Sequence, residues 1–135
     1  MDLNECMNRS LAKKAGVNIN QAKSLLRSAG KKQEASDALP EKFHEAKLTL
    51  LYDALRMILE SLALKKGFKV YNHECYTAFL KEVLKEPALG DRFDAFRKIR
   101  NAVNYYAREL TEDESEKIIR QMKTFIKELN SKCPP

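Results

Sequence analysis

Hydrophobic residues in this chain recur mainly at intervals of three and four positions, and no segment alternates with a period of two for long. Such spacing predicts amphipathic helices rather than strands. The first periodic segment spans about residues 3–14 and stops at Gly16, which suits the position just after a helix. A second helix follows, with Asn18 or Asn20 as its N-cap. Gly30 weakens this helix, and the pattern fits either an end there or a continuation beyond it.

The third predicted helix is the most apolar and should occupy the centre of a bundle. Pro40 suits its first turn, and Gly67 suits its end. Apolar side chains cover most of its circumference. They are Leu48, Leu50, Leu51, Leu55, Met57, Ile58, Leu59 and Leu62. Asp53, Arg56 and Glu60 interrupt the apolar run, so it does not match a membrane-spanning helix, which needs about 20 nearly uncharged residues.

Three further helices complete the prediction. The fourth covers about residues 72–86 and the fifth about residues 91–110. Thr111 and Glu114 have the spacing of a capping box and should begin the last helix, which ends before Pro134.

These elements predict an all-α fold. The expected architecture is an antiparallel, up-and-down bundle of four to five helices, with a short extra helix at the N-terminus. Residues 1–17 form a helical extension and residues 18–135 the bundle domain. The 135 residues suffice for one domain with a core, and only 4 Gly and 4 Pro argue against a loop-rich β-sandwich.

The charge balance and the cysteines narrow the classes of partner and compartment. Lys and Arg number 25 against 19 Asp and Glu, a net charge of +6 that permits an acidic partner such as RNA without requiring one. Cys6, Cys75 and Cys133 are odd in number and far apart, which predicts free thiols and no zinc site. The acidic residues 1–5 lack the apolar stretch of a signal peptide. We therefore expect a cytoplasmic protein.

A compact strip of guanidinium and amide groups marks one face of the fifth helix. At about 100° per residue, five side chains fall within an arc of roughly 100°, opposite an apolar arc. They are Arg97, Arg100, Asn101, Asn104 and Arg108. Arg offers a rigid fork of donors and Asn offers both a donor and an acceptor, so the strip suits a phosphate. The alternative is an ordinary solvated face with surplus Arg.

A second charged strip lies on the third helix. Asp53, Arg56 and Glu60 project within about 60° of one another, and Arg56 is spaced to pair with either carboxylate. Because buried charges without partners are costly, the strip must face water, a partner subunit or a charged strip on another helix. The alternative is an exposed ladder of ion pairs.

The histidines add two possibilities. His73, at the start of the fourth helix, could bind an anion or transfer protons near its pKa, or simply pack at the surface. His73 and Cys75 have no further ligands at useful spacing, so we expect no metal site. His44 should be exposed. The sequence contains none of the standard motifs of nucleotide-hydrolysing or metal-dependent enzymes.

Three segments together carry a family resemblance. They are residues 52–56 with Glu60, residues 67–75 and residues 93–106. In order and residue type they resemble the HEPN family (higher eukaryotes and prokaryotes nucleotide-binding domain), above all its small stand-alone archaeal and bacterial members. The resemblance covers about residues 18–132. It implies a bundle that dimerises, with the Arg-bearing helices of two subunits facing each other across a cleft.

The resemblance also implies a site. Many members are metal-independent endoribonucleases with an Arg, a polar neighbour, and a His four to six positions after the Arg. Arg100 and Asn101 match the first two, but the positions of the His hold Asn104, Tyr105 and Tyr106. Losing general acid–base help typically costs ~10²–10⁴ in rate, so the resemblance implies binding rather than catalysis. The candidates for any residual catalysis are Arg100, Asn104, Tyr106 and His73.

Three functions are therefore considered. The first is a non-catalytic, dimeric HEPN-like module that binds RNA or nucleotide phosphate, with Asp53, Arg56 and Glu60 orienting the arginines. The second is a metal-independent endoribonuclease toxin of a toxin–antitoxin pair, which uses Arg100 together with His73 or Tyr106 in place of the missing histidine. The third is a helical scaffold that docks a minimal nucleotidyltransferase. None of them requires a cofactor, a metal or a membrane.

Overall fold

The computed structural model describes residues 1–135 as an all-α bundle, as predicted, together with one small two-stranded sheet that the sequence pattern did not predict. The helices are α1 (Leu3–Asn8), α2 (Ile19–Ala38), α3 (His44–Lys65), α4 (Glu74–Glu82), α5 (Pro87–Tyr105) and α6 (Glu112–Lys132). A 3₁₀ turn (Glu41–Phe43) precedes α3, and the antiparallel strands are β1 (Ala12–Lys14) and β2 (Phe68–Val70). None of the helices combines the length and apolarity needed to cross a bilayer.

The helix α3 occupies the centre of the bundle. Its leucines lie in the core, as the apolar pattern predicted, with the exception of the half-buried Leu50. Aromatic side chains from α3 itself and from α4, α5 and α6 pack around them. The largest of these fully buried rings are Tyr52, Tyr76, Phe79, Phe93 and Phe125. Burying one such side chain contributes roughly 1.5–3 kcal/mol, so this cluster is the main source of stability.

Two buried serines show that α2 and α3 run antiparallel. At one end Ser36 Oγ donates to the carbonyl of Lys47 at 2.8 Å, and at the other end Ser61 Oγ donates to the carbonyl of Ala22 at 2.9 Å. Each bond satisfies a hydroxyl that burial would otherwise leave without a partner. These bonds therefore fix how the two long helices align.

The N-terminal helix is shorter than predicted. It ends at Asn8 because Ser10 adopts a left-handed conformation (φ 59°) and the amide of Leu11 donates to the carbonyl of Cys6 at 2.8 Å. This is a Schellman ending formed without glycine. Residues 12–14, expected to be helical, form β1 instead.

The helix α2 runs through Gly30 to its end at Ala38, which settles the question that the sequence left open. Its cap is Asn18, whose side chain accepts a hydrogen bond from the amide of Gln21 at 3.0 Å.

The bounds of α4 and α5 differ from the prediction by about one turn. The helix α4 ends at Glu82, and α5 already begins at Pro87 and includes Gly90. At Gly90 the two helices approach so closely that a Cβ would lie 2.7 Å from Cγ of Lys81. The glycine thus serves packing here and does not break the helix.

A disulfide joins Cys6 of α1 to Cys75 of α4, so the prediction of three free thiols is wrong for this pair, and Cys133 alone is free. The bond is buried in a small second core and fastens residues 1–17 to the bundle. Linear spacing could not reveal a pair that folding brings together from 69 positions apart. Because disulfides persist mainly in oxidising compartments, the argument from free thiols to a cytoplasmic location no longer holds.

Candidate functional site

A cavity of about 280 Å³ opens where the segment before α4 meets α5. Its walls combine charged, amide and aromatic side chains. They are Tyr71, Asn72, His73, Glu74, Arg97, Arg100, Asn101 and Tyr105. Sequence reasoning singled out His73, Arg97, Arg100 and Asn101, and the fold places all four in this one cavity. Its volume lies near the lower end of small-molecule sites, about 300–1,000 Å³.

Arg100 lies half-buried between two tyrosine rings. Its guanidinium carbon is 5.3 Å from the ring centroids of both Tyr52 and Tyr105, within the range of cation–π attraction. Nη1 donates to Tyr105 Oη at 3.2 Å and to Asn101 Oδ1 at 3.4 Å, while Nε is buried and has no hydrogen-bond partner. No carboxylate lies within 4.0 Å of this guanidinium, so its charge has no counter-ion in the chain.

Arg97 is held by a carboxylate of its own helix. Its Nε and Nη2 donate to Oδ1 of Asp94 at 3.0 and 2.8 Å, and Lys98 pairs with Oδ2 of the same residue at 3.1 Å. Burial opposes ionisation of Asp94, but the hydrogen bonds from Arg97 and Lys98 outweigh it and leave the pKa of Asp94 below its usual value. Arg97 therefore brings a partly neutralised charge to the cavity.

The charged strip of α3 was expected to orient the arginines of α5, but it does not line the cavity and forms no ion pair with Arg97 or Arg100. It is divided between two other partners. Arg56 Nη1 pairs with Oε2 of Glu60 at 2.8 Å, whereas Asp53 pairs with Lys32 of α2 at 3.8 Å. The predicted pair between Arg56 and Asp53 does not form. Both residues nevertheless act on His73 through their charges, so the strip contributes to the electrostatics of the site.

His73 is kept neutral by its surroundings. Burial, first of all, and then the positive charges of Arg56 and Arg100 lower the pKa of His73 to about 4. Its Nδ1 lies 3.2 Å from the hydroxyl of Tyr52, and burial raises the pKa of that phenol above its ordinary value. At neutral pH the imidazole thus offers hydrogen bonds without a charge.

The remaining residues of the predicted strip on α5 lie elsewhere. The helix ends at Tyr105, and two residues later Ala107 takes a left-handed conformation (φ 53°). Nη2 of Arg108 lies 3.8 Å from Oε2 of Glu114. Tyr106, at 80% exposure, does not line the cavity. A continuous helical arc through residue 108 was therefore the wrong geometry for this end of α5.

Asn104 and His44 also depart from the picture that the sequence suggested. Asn104 is exposed outside the cavity, with Oδ1 3.5 Å from Oγ1 of Thr49. His44 is half-buried rather than exposed, and its Nδ1 lies 2.7 Å from Oγ of the buried Ser115. This contact ties the start of α3 to α6, so His44 serves the packing of the bundle.

Sequence reasoning missed the tyrosines of the site. The apolar pattern of the third helix predicts Tyr52 as a core residue, and it is fully buried. Its ring nevertheless packs against the guanidinium of Arg100, and its hydroxyl contacts His73. Tyr71 directly follows β2, and Lys69, two positions before it, was the only local feature that could have suggested a role. Tyr105 was considered only as a residue in place of the missing histidine.

A larger groove, about 380 Å³, lies between α5 and α6. Two of its cations, Arg92 and Arg120, pair with Glu128 and Glu116, and the third, Lys117, is exposed to solvent. The cavity around Arg100 is smaller, yet it contains a half-buried cation without a counter-ion and a histidine with a shifted pKa, which makes it the better candidate.

Comparisons with protein-family models, curated proteins and solved structures find no match to this chain. No cluster of three or more His, Cys, Asp or Glu side chains is arranged to hold a metal ion. The function is therefore inferred from the chemistry of the cavity.

Proposed function

We propose that this chain is a non-catalytic, dimeric HEPN-like module that binds the phosphate of RNA or of a nucleotide in the cavity around Arg100. The observation that carries the proposal is the half-buried guanidinium of Arg100, which has no carboxylate partner. Holding such a charge partly out of water without a counter-ion is unfavourable. A phosphate supplies the missing charge and accepts the fork of hydrogen bonds that guanidinium groups donate.

The neighbouring side chains decide where a phosphate would lie. Arg97 and the amide of Asn101 add donors on the α5 side, and neutral His73 adds a further polar group without charge. Glu74, on the opposite side, carries a carboxylate that repels an anion. A phosphate therefore belongs against α5, with Glu74 limiting how tightly it binds.

Calorimetric titration with adenosine monophosphate and with a short single-stranded RNA tests this proposal. Arg100→Ala should weaken both affinities by about tenfold or more, the value of a hydrogen bond to a charged group. Arg27→Ala is the matched control, because Arg27 is exposed on α2 and bonds only Ser24. Equal affinities for wild type and Arg100→Ala would contradict the proposal.

A gain of affinity offers a second, opposite test at the same cavity. Glu74→Gln removes the repelling carboxylate and keeps the shape, so it should tighten binding of adenosine monophosphate by about threefold or more at low salt. Glu116→Gln, exposed on α6, should leave the affinity unchanged. A weaker affinity for Glu74→Gln would place the ligand somewhere else.

The dimer and the partner protein are separate parts of the proposal. Tyr106, just after α5, is 80% exposed and lies outside the cavity, and such aromatic rings are enriched in interfaces. Light scattering coupled to gel filtration should give twice the mass of one chain, and Tyr106→Ser should reduce the dimer fraction. A monomeric mass at every protein concentration would contradict the proposed dimer.

A short nucleotidyltransferase reading frame beside this gene, and co-purification of its product with this protein, would support a nucleotidyltransferase as the partner.

An endoribonuclease is the second candidate, because His73 and Arg100 line the same cavity. Cleavage of RNA in the presence of EDTA, lost in both Arg100→Ala and His73→Asn, would favour it. We expect no cleavage, since a histidine with a pKa of about 4 is almost entirely neutral at pH 7 and is a poor general acid.

A further inference from the structure

The small hairpin beside the cavity carries two lysines that repel each other. Lys13 of β1 and Lys69 of β2 are direct cross-strand partners, and both are exposed. Neither forms an ion pair with a carboxylate in the chain. Like charges placed opposite each other destabilise a strand pair, so the hairpin presents a local excess of positive charge without compensation from the fold.

Both lysines lie against the ring of Tyr71. Their Nζ atoms are 6.0 Å (Lys13) and 5.6 Å (Lys69) from the ring centroid. Tyr71 is 53% exposed and also lines the cavity around Arg100. It therefore connects the basic hairpin to the proposed phosphate site.

A second exposed ring stands on the other side of the cavity. Tyr105 is 67% exposed, and its hydroxyl and ring both contact Arg100. Basic groups and aromatic rings thus alternate across the surface, from the hairpin through Tyr71 and the cavity to Tyr105. Proteins that bind single strands use this combination, because cations hold the backbone while aromatic faces stack unpaired bases.

We infer that this surface is a track for single-stranded nucleic acid, in which Tyr71 stacks a base next to the nucleotide whose phosphate lies by Arg100. The inference rests on the proposed function and adds the ligand class. A duplex keeps its base faces stacked inside, so it offers Tyr71 no partner. An acidic peptide matches the lysines and the arginine but lacks the planar faces that two exposed rings select.

Fluorescence anisotropy with labelled oligonucleotides of increasing length tests the track. Affinity should rise from mononucleotide to tetranucleotide, and a single strand should bind more tightly than a duplex of the same sequence. Tyr71→Leu should weaken the tetranucleotide by about fivefold or more, the lower bound for losing one stacked base. Tyr71→Phe keeps the ring and should bind like wild type. Comparison of RNA with DNA of the same sequence shows whether the 2′-hydroxyl contributes.

The salt dependence separates the lysines from the ring. Lys13→Ala combined with Lys69→Ala should reduce the slope of log affinity against log salt by about 1.4, since each phosphate contact to a single strand contributes about 0.7. Tyr71→Leu should lower the affinity without changing that slope. Lys31→Ala with Lys42→Ala, two exposed lysines away from the hairpin, is the matched control.

The outcomes distinguish the two levels of the argument. If Arg100→Ala leaves mononucleotide binding unchanged, the proposed function itself fails. If mononucleotides bind but Tyr71→Leu has no effect on the tetranucleotide, the track is wrong and the phosphate site stands. Equal affinity for a duplex, or for an acidic peptide of the same charge, would also overturn the track. Circular dichroism of each variant confirms that it is folded.

Discussion

The hydroxyl oxygen of Tyr52 lies 3.2 Å from Nδ1 of His73, and this contact joins the central helix to the rim of the cavity. Tyr52 is fully buried, so its hydroxyl has to find its partner inside the protein, and the imidazole supplies it. The pair also places the histidine within the field of the arginines on α3 and α5. The protonation of His73 is therefore coupled to the folded state.

The first prediction concerns stability as a function of pH. Because the pKa of His73 is about 4 in the folded chain and about 6.5 in an unfolded one, the unfolded chain binds the extra proton between these values. The contribution of His73 to the free energy of unfolding is thus fully present above pH 6.5 and is lost as the pH falls toward 4. The midpoint of thermal unfolding at constant ionic strength should therefore decrease between pH 6.5 and pH 4, and this decrease should be smaller in His73→Asn.

Nuclear magnetic resonance gives an independent check of the same residue. The chain has 2 histidines, so the Hε1 signal of His73 can be assigned by comparison with the variant. Replacing Arg100 by Ala removes a positive charge and should raise the pKa of His73. Titration of His73 near 6.5 in the wild type would show that the imidazole is not enclosed as described.

The helices and the core were largely predictable because their signals are local. The leucines of α3 identify a central helix, and Thr111 with Glu114 does form the predicted capping box, with both hydrogen bonds at 3.1 Å. The ends of α1 and α5 were not predictable in the same way. Ser10 and Ala107 take the left-handed conformation that glycine usually marks, so the sequence carried no sign of either end.

The site was predictable only in part, for a related reason. Arg97 and Arg100 share a face by helical periodicity, whereas the approach of His73 and Tyr71 depends on how the segment before α4 is held against the bundle. That position depends on β1 pairing with β2 and on the disulfide, and both contacts join residues far apart in the sequence. Local patterns contain no record of such pairs.

The second prediction concerns a buried lysine of α3 that donates hydrogen bonds to the C-terminal end of α2. Lys47 is only 6% exposed, and its Nζ donates to the carbonyls of Ser36 and Leu39 at 2.8 and 2.9 Å. Lys47→Met keeps the packing but leaves these helix-end carbonyls without a donor, so the free energy of unfolding should fall by about 2 kcal/mol. Urea unfolding measures it, with exposed Lys31→Met as control. An unchanged urea midpoint for Lys47→Met would contradict this prediction, because it would mean that water satisfies the two carbonyls as well as the ammonium group does.

The third prediction concerns the N-cap of α6. Thr111→Ala removes the side chain that accepts the amide of Glu114 and should lower the free energy of unfolding by about 1 kcal/mol. Thr124→Ala, at an exposed position inside the same helix, should be neutral or slightly stabilising because Ala has the higher helix propensity. Opposite behaviour of the two variants in thermal unfolding is the expected result, and equal losses would mean that the loss at Thr111 does not come from the cap.

The fourth prediction concerns the disulfide between Cys6 and Cys75. The bond closes a long loop in the unfolded chain, and by the chain-entropy estimate this contributes about 4 kcal/mol. Urea unfolding of the oxidised protein should therefore have a higher midpoint than unfolding in a dithiol reductant. Cys133→Ser should behave like wild type, because this cysteine takes no part in the bond. Alkylation of the denatured protein should modify one thiol before reduction and three afterwards.

The disulfide should also affect the cavity, since Cys75 directly follows His73 and Glu74 in the segment that forms its rim. A variant with Cys6→Ser and Cys75→Ser frees this segment and the N-terminal extension from each other. The pKa of His73 should then rise from about 4 toward its ordinary value, because a looser rim buries the imidazole less. An unchanged pKa of His73 in a variant that has lost stability would show that the bundle alone holds the rim in place.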